Sequence, residues 1–95
     1  EMDGLFVFND YVANYAINVI TQMDKKIPED IAVIGFSDEP VATYMTPQLS
    51  SVRQVSSEMG NLTAEKIISI IKQDEVMINE KIVITPDLVL RDTTK

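Results

Sequence analysis

Gly4-Leu5-Phe6-Val7-Phe8 is an unbroken apolar run that closes on Asn9-Asp10. A short run without polar alternation predicts a strand buried on both faces, the habit of parallel sheets. The period then changes. Val12, Ala16, Val19 and Met23 recur at three- or four-residue spacing, and Ala13, Ile17 and Ile20 form a second stripe beside them. This predicts a helix to about Met23, with Asp10 placed to cap its free N–H groups. One sheet contact needs one stripe, so the surplus stripe predicts a further packing surface. Asp24–Asp30 is a polar turn in which Pro28 biases Ile27 away from helix. Ile31–Phe36 is a second continuous apolar run. Strand, helix, strand in that order argues a right-handed parallel crossover.

Ser37-Asp38-Glu39-Pro40 follows the second strand directly. Pro40 suits the first turn of a short helix, with Ser37 or Asp38 as its cap. Tyr44-Met45-Thr46-Pro47 ends that helix, and Ser50–Gln54 reads as extended. From Val55 to about Gln73 the pattern predicts a long helix with Met59, Leu62, Ile67, Ile70 and Ile71 on its apolar side. Gly60 near its start lowers helix propensity and permits close packing. Asp74-Glu75 opens a loop. Lys81–Ile84 and Asp87–Arg91 are predicted as two extended segments broken at Pro86, and Thr93–Lys95 as a tail.

Composition then removes whole classes of function. The chain has 95 residues, enough for one small domain at most, with a marginal core. Net charge is −7, from 15 acidic and 8 basic residues. Phosphate backbones are bound by clustered Lys and Arg. Lys25–Lys26 is the only adjacent basic pair, so direct DNA binding by these residues is not expected. The absence of cysteine excludes disulfides and thiolate metal sites. The absence of histidine removes the commonest general base and metal ligand. There is no Gly-rich phosphate loop and no G-x-S-x-G elbow, and no carboxylates pair at an acid/base spacing. The expectation is a protein that is not an enzyme and needs no cofactor or metal. No apolar run is long enough to span a membrane.

Five segments, in order, resemble the LacI/GalR family of bacterial transcription regulators. They are Phe8-Asn9-Asp10 before an Ala-containing helix, Ile27–Phe36, Tyr44–Gln54, Met59-Gly60 early in a long helix, and Pro86–Thr94. The resemblance implies an α/β fold of the periplasmic-binding-protein-like type I class, a three-layer α/β/α arrangement with a mostly parallel sheet. The chain would be the C-terminal portion of the effector-binding and dimerisation domain, without the helix-turn-helix. Residues 1–49 would belong to the C-terminal lobe, 50–75 would supply a crossing strand and a helix of the N-terminal lobe, and 76–95 the return strands. Isolated from the rest, such a piece would not close a core of its own. The implied function is sensing of a small sugar-like effector in the cytoplasm, which changes operator affinity through the separate DNA-binding domain. The alternative is a periplasmic sugar-binding receptor of a transporter.

In open α/β sheets ligands sit beyond the carboxyl ends of the strands. Asn9 and Ser37-Asp38 stand at two such ends. By its resemblance to the family position, the Asn9 amide is expected to bond an effector hydroxyl. Its bland role is to shape the strand-to-helix turn. Ser37 stands where many relatives carry a ligand-binding Asp. Either Asp38 substitutes or the effector differs in hydroxyl pattern or charge, and a helix cap is the plain reading of Asp38. Gln54 matches a position near hinge and cleft and is expected to contact the effector. Arg53 could pair with a carboxylate across the lobes, and Arg91 is read as structural. The family's homodimer surface maps to Asn14, Ile17, Asn18, Val41, Tyr44 and Met45, for which ordinary core packing is the plainer explanation.

Overall fold

The computed structural model describes residues 1–72 and 80–95. It separates into two compact units, residues 1–54 with 87–95, and residues 55–86.

In the first unit β1 (Gly4–Phe6), β2 (Ala32–Ser37), β3 (Ser50–Arg53) and β4 (Asp87–Val89) form one sheet in the order β1-β2-β3-β4. β1 pairs β2 in parallel with Phe6 opposite Ile34, and β2 pairs β3 in parallel with Ser37 opposite Arg53. β4 runs antiparallel to β3, with Arg53 opposite Asp87. This is the mostly parallel open sheet expected of the fold class.

Helix α1 (Asp10–Gln22) crosses over between β1 and β2. Its cap is Asn9, in extended conformation at φ −153 and ψ 139, whose Oδ1 accepts from the N–H groups of Tyr11 and Val12. The expected cap, Asp10, is instead the first helical residue, and its side chain is fully buried. Ala13, Ile17 and Ile20 face the core with Val7, Val33, Ala42 and Leu49. Burying an aliphatic side chain of this size stabilises by roughly 1.5–3 kcal/mol, so this stripe fixes α1 to the sheet. Val12, Val19 and Met23 of the other stripe are exposed. β1 is covered on one face only. Val7 just beyond it is buried, whereas Phe6 and Phe8 stay exposed on the opposite face, where Phe6 meets Phe36 edge to face.

The short helix α2 (Val41–Tyr44) has Pro40 at its cap position and no side-chain cap, so neither Ser37 nor Asp38 serves there. Thr93, read as tail, is fully buried. Its hydroxyl donates to the Val33 carbonyl and accepts from the Ser50 N–H, while its own N–H donates to Gln48. The C-terminal segment is thereby laced between β2 and β3.

The second unit contains helix α3 (Ser56–Ile71), none of whose residues is buried. Met59, Leu62, Ile67, Ile82 and Ile84 line a groove of about 270 Å³. Lys66 pairs with Glu80 at 3.0 Å. Lys81–Ile84, expected to be extended, forms no strand among the described residues. Gln73 and the Asp74-Glu75 loop lie outside the described residues. No helix among the described residues is long and apolar enough to cross a membrane.

Candidate functional site

Parallel strands point their carboxyl ends the same way, so the tips of β1, β2 and β3 form one edge. Asn9 and Ser37 each lie three residues beyond the paired Phe6 and Ile34. Ser37 is also in register with Arg53 at the end of β3, and Gln54 follows. The side-chain amide of Gln54 donates to the Ser37 hydroxyl at 3.0 Å. Three of the residues picked out in sequence, Ser37, Asp38 and Gln54, therefore converge, and Asn9 caps α1 at the adjoining tip.

Ser37 and Asp38 have positive φ, 111 and 56. Such conformations cost a non-glycine residue of the order of 1 kcal/mol or more, and persist where the surroundings determine them. Here the determinant is Asp10. Its Oδ2 accepts the Glu39 N–H at 2.7 Å, and its Oδ1 accepts the Ser51 hydroxyl at 2.7 Å. The Ser51 Oγ in turn accepts the Asp38 N–H at 3.1 Å. One buried carboxylate thus holds two successive backbone N–H groups of the bent loop, one directly and one through Ser51. Gly35 makes room for it, because a Cβ there would collide with Asp10 Oδ1 and lie 2.8 Å from Leu49 Cδ2.

Asp38 is 6% exposed and sits between two guanidinium groups. Arg53 Nε donates to its Oδ2 at 2.7 Å. Arg91 Nη2 lies 2.7 Å from Oδ1 as an ion pair. Burial pushes the Asp38 carboxyl up, but the charges and contacts of Arg91 and Arg53 outweigh it and hold its pKa below the ordinary value. Arg91 also donates through Nη1 to the Leu49 carbonyl at 2.6 Å and through its backbone N–H to the Ser50 hydroxyl at 2.7 Å. Arg53 does not wait for a distant carboxylate. Asp38 engages it within the same unit.

The residues assigned to a dimer surface divide. Tyr44 is 83% exposed and Asn18 is exposed, with Asn14 partly so. Ile17 and Met45 are buried in the core and Val41 packs against it, because they lie on the stripe that α1 and α2 turn to the sheet. The exposed apolar side chains on the outer side of α1 are Tyr11, Tyr15 and Val19.

Sequence reasoning missed the centre of this arrangement. Asp10 reads as a cap and Ser51 as an unremarked polar position, yet both are fully buried. One signal was available. A glycine inside the apolar run, Gly35, marks a close approach, and its neighbour across the sheet layer is Asp10.

The periplasmic binding protein-like domain family matches residues 1–94. The arabinose metabolism transcriptional repressor of Geobacillus stearothermophilus is 35% identical over 88 residues, which cover 93% of this chain and 24% of that protein. The solved structure of a LacI family transcriptional regulator from Arthrobacter sp. FB24 in complex with lactose superimposes with a TM-score of 0.84 at 28% identity, over 98% of this chain and 35% of that one. A transcriptional regulator CelR–cellobiose complex does so with a TM-score of 0.90 at 27% identity, over 96% of this chain and 28% of that one. The chain belongs to the LacI/GalR family. It lies within the periplasmic-binding-protein-like domain of that family, and spans about a quarter of the curated relative's length. At the tip of β2 stands Ser37, and the acid beside it, Asp38, is already engaged by Arg53 and Arg91.

Proposed function

We propose that this chain forms one wall of a cleft that binds a small sugar-like effector, within a LacI/GalR-family transcription regulator that works in the bacterial cytoplasm as a homodimer. The observation that carries the reading is the convergence of Ser37, Asp38 and Gln54 at the carboxyl ends of β2 and β3, beside Asn9 at the tip of β1. Neighbouring polar groups at such strand ends are where open α/β sheets take ligands. The sugar-bound regulators among its structural neighbours agree with this.

The chain acts as a binder and switch, not a catalyst. An effector shifts operator affinity only by binding one lobe arrangement better than the other. DNA would be read by a separate helix-turn-helix, which suits a net charge of −7 here. The partner subunit would dock on the outer side of α1 through Tyr11, Tyr15, Asn18 and Val19, with Tyr44 of α2. Large aromatic side chains exposed at 54% (Tyr11), 72% (Tyr15) and 83% (Tyr44) suit an interface core.

The test uses the full-length regulator in a thermal-shift screen against sugars, sugar phosphates and purines, followed by operator binding with and without each hit. A stabilising sugar-like compound that changes operator affinity is the expected outcome. No hit in any class, with DNA binding unaffected, refutes the reading.

A further inference from the structure

The chain leaves the first unit after Gln54 and re-enters it at Asp87, so β3 and β4 carry both links to the second unit. In hinged proteins a few residues at the ends of elements absorb the change in backbone angle. The backbone alone holds these two strands thinly. β4 is a three-residue strand at the edge of the sheet. Its ladder with β3 pairs Ser51 with Val89, Val52 with Leu88 and Arg53 with Asp87, and both Asp87 and Leu88 are exposed. Short, solvent-exposed ladders with few buried contacts open locally at low cost.

Side chains add what the ladder lacks. Arg53 is the last residue of β3, Arg91 stands two residues beyond β4, and one carboxylate receives both. Asp38 Oδ2 accepts Arg53 Nε at 2.7 Å, and Oδ1 lies 2.7 Å from Arg91 Nη2. The Asp38 and Arg91 side chains are 6% and 12% exposed, so solvent screens their pairing far less than it screens a surface pair. Arg91 is further fastened to the Leu49 carbonyl and the Ser50 hydroxyl. Asp38 is itself held at φ 56 by the bond from its N–H to Ser51, which in turn donates to Asp10. The residue before it, Ser37, is the one that bonds Gln54. Two consecutive residues of one bent loop thus meet the end of β3 in different ways, Ser37 through Gln54 and Asp38 through Arg53.

We infer that Asp38 is a positioning residue of the switch, a clasp that gathers Arg53 and Arg91 and so fixes this unit's end of both links. Its two oxygens face guanidinium groups and are spent inside the fold. An effector that engages Ser37 or Gln54 then acts on the loop and the strand that the clasp joins. Asp87 is the rival partner, because it stands opposite Arg53 in the ladder. It is exposed, and a charge pair there contributes little.

The inference rests on the sensor reading above and is tested so that the two fail differently. Amide hydrogen exchange of the full-length regulator reads the clasp without any effector. D38N keeps the side chain's size, and asparagine tolerates the left-handed region. In D38N the amides of Arg53, Gln54, Leu88 and Val89 should exchange about tenfold faster, while those of β1 and the middle of α1 stay within about twofold. R53Q, at a half-exposed position, should reproduce the effect, and D38N with R53Q should add little, since both break the same bond. D87N is the control and should change little. The regulator is then titrated with arabinose, ribose, lactose and cellobiose. A sugar that binds should slow exchange at the same amides. R91Q opens the clasp away from the residues placed at the ligand, so it should hold the sugar's affinity within about threefold and lose that slowing. Uniform acceleration across the unit in D38N makes Asp38 an ordinary structural residue and overturns the inference. Acceleration in D87N equal to that in D38N overturns it too, as does slowing that survives R91Q. Binding by none of the four sugars counts against the sensor reading alone, and the D38N pattern still decides the clasp.

Discussion

Replacing Asp10 with alanine removes the carboxylate that organises the site and leaves two donors with nothing to bond. The Glu39 N–H and the Ser51 hydroxyl each reach an Asp10 oxygen at 2.7 Å, and Asp10 and Ser51 are both fully buried. Hydrogen bonds to a carboxylate contribute about 1.5–3 kcal/mol each, and a buried donor left unpaired costs about 1–3 kcal/mol. The Ser51 hydroxyl can rotate, so its loss is partly recovered, whereas the Glu39 N–H cannot. D10A should therefore destabilise by about 3–5 kcal/mol. D10N keeps one oxygen for the Glu39 N–H, and its NH2 can donate to Ser51 Oγ in a reversed bond, so about 1–2 kcal/mol is expected. S51A removes a donor to Asp10 and the acceptor of the Asp38 N–H, again about 1–2 kcal/mol. The assay is urea unfolding of the protein and these variants, closed as a double-mutant cycle. The D10A and S51A losses should fall short of additive by about 0.5–3 kcal/mol, because each breaks the same bond. A D10A loss below about 1 kcal/mol, or strict additivity, would refute the role given to this carboxylate.

G35A should destabilise by about 1–3 kcal/mol in the same assay, since the added methyl meets Asp10 Oδ1 and Leu49 Cδ2 and something must shift. N9A should lose about 1 kcal/mol through the α1 cap, and N9S, which can still cap, only a few tenths. Effector affinity that falls in both variants assigns the amide a contact with ligand, whereas affinity that N9S preserves confines Asn9 to the cap. Burial raises the Asp38 pKa, but Arg91 and Arg53 outweigh it and hold it below its ordinary value of 3.8. A depressed carboxylate contributes stability above that ordinary value and loses it as pH falls through the folded-state value. The stability gap between wild type and D38N should therefore be constant near neutrality and close below about pH 3.8, which acid titration of the urea midpoint would read. A gap that closes on raising the pH instead would contradict the ion pairing.

Much of the first half of the chain was legible because local pattern and final burial agree there. The run Ile31–Phe36 became β2, and the stripe Ala13–Ile17–Ile20 became the core face of α1. The neighbouring strand tips were legible for a topological reason: a strand–helix–strand crossover puts two parallel strands side by side, with Asn9 and Ser37 beyond their ends. What was not legible depends on contacts distant in sequence. Asp10 and Ser51 are 41 positions apart, and Thr93 reaches Val33 across 60. A polar residue beside an apolar run looks the same whether it caps a helix or is buried against another strand. The residues assigned to a dimer surface divide for the converse reason. Ile17 and Met45 carry the hydrophobicity an interface needs, but the core claims them, and the exposed face is left to Tyr11, Tyr15 and Tyr44.

The network also says where a switch can act. Asp10 ties the start of α1 to the β2 loop and to β3. The chain, however, leaves this unit just after Gln54 and returns at Asp87. Gln54 donates to Ser37, and Asp87 is in register with Arg53, which holds Asp38. The outgoing crossing therefore starts at Gln54, and the incoming one arrives at the residue opposite Arg53. A ligand held by Gln54 would restrain the backbone at the outgoing crossing, and through the β3–β4 pairing at the incoming one. In a two-unit switch the equilibrium responds to whatever distinguishes its states, and the linking segments are where small changes in backbone angle become unit rotations. Binding and switching would then share residues: a substitution at Gln54 should alter effector affinity and the operator response by different factors, whereas one at Asn9, away from both crossings, should alter them together.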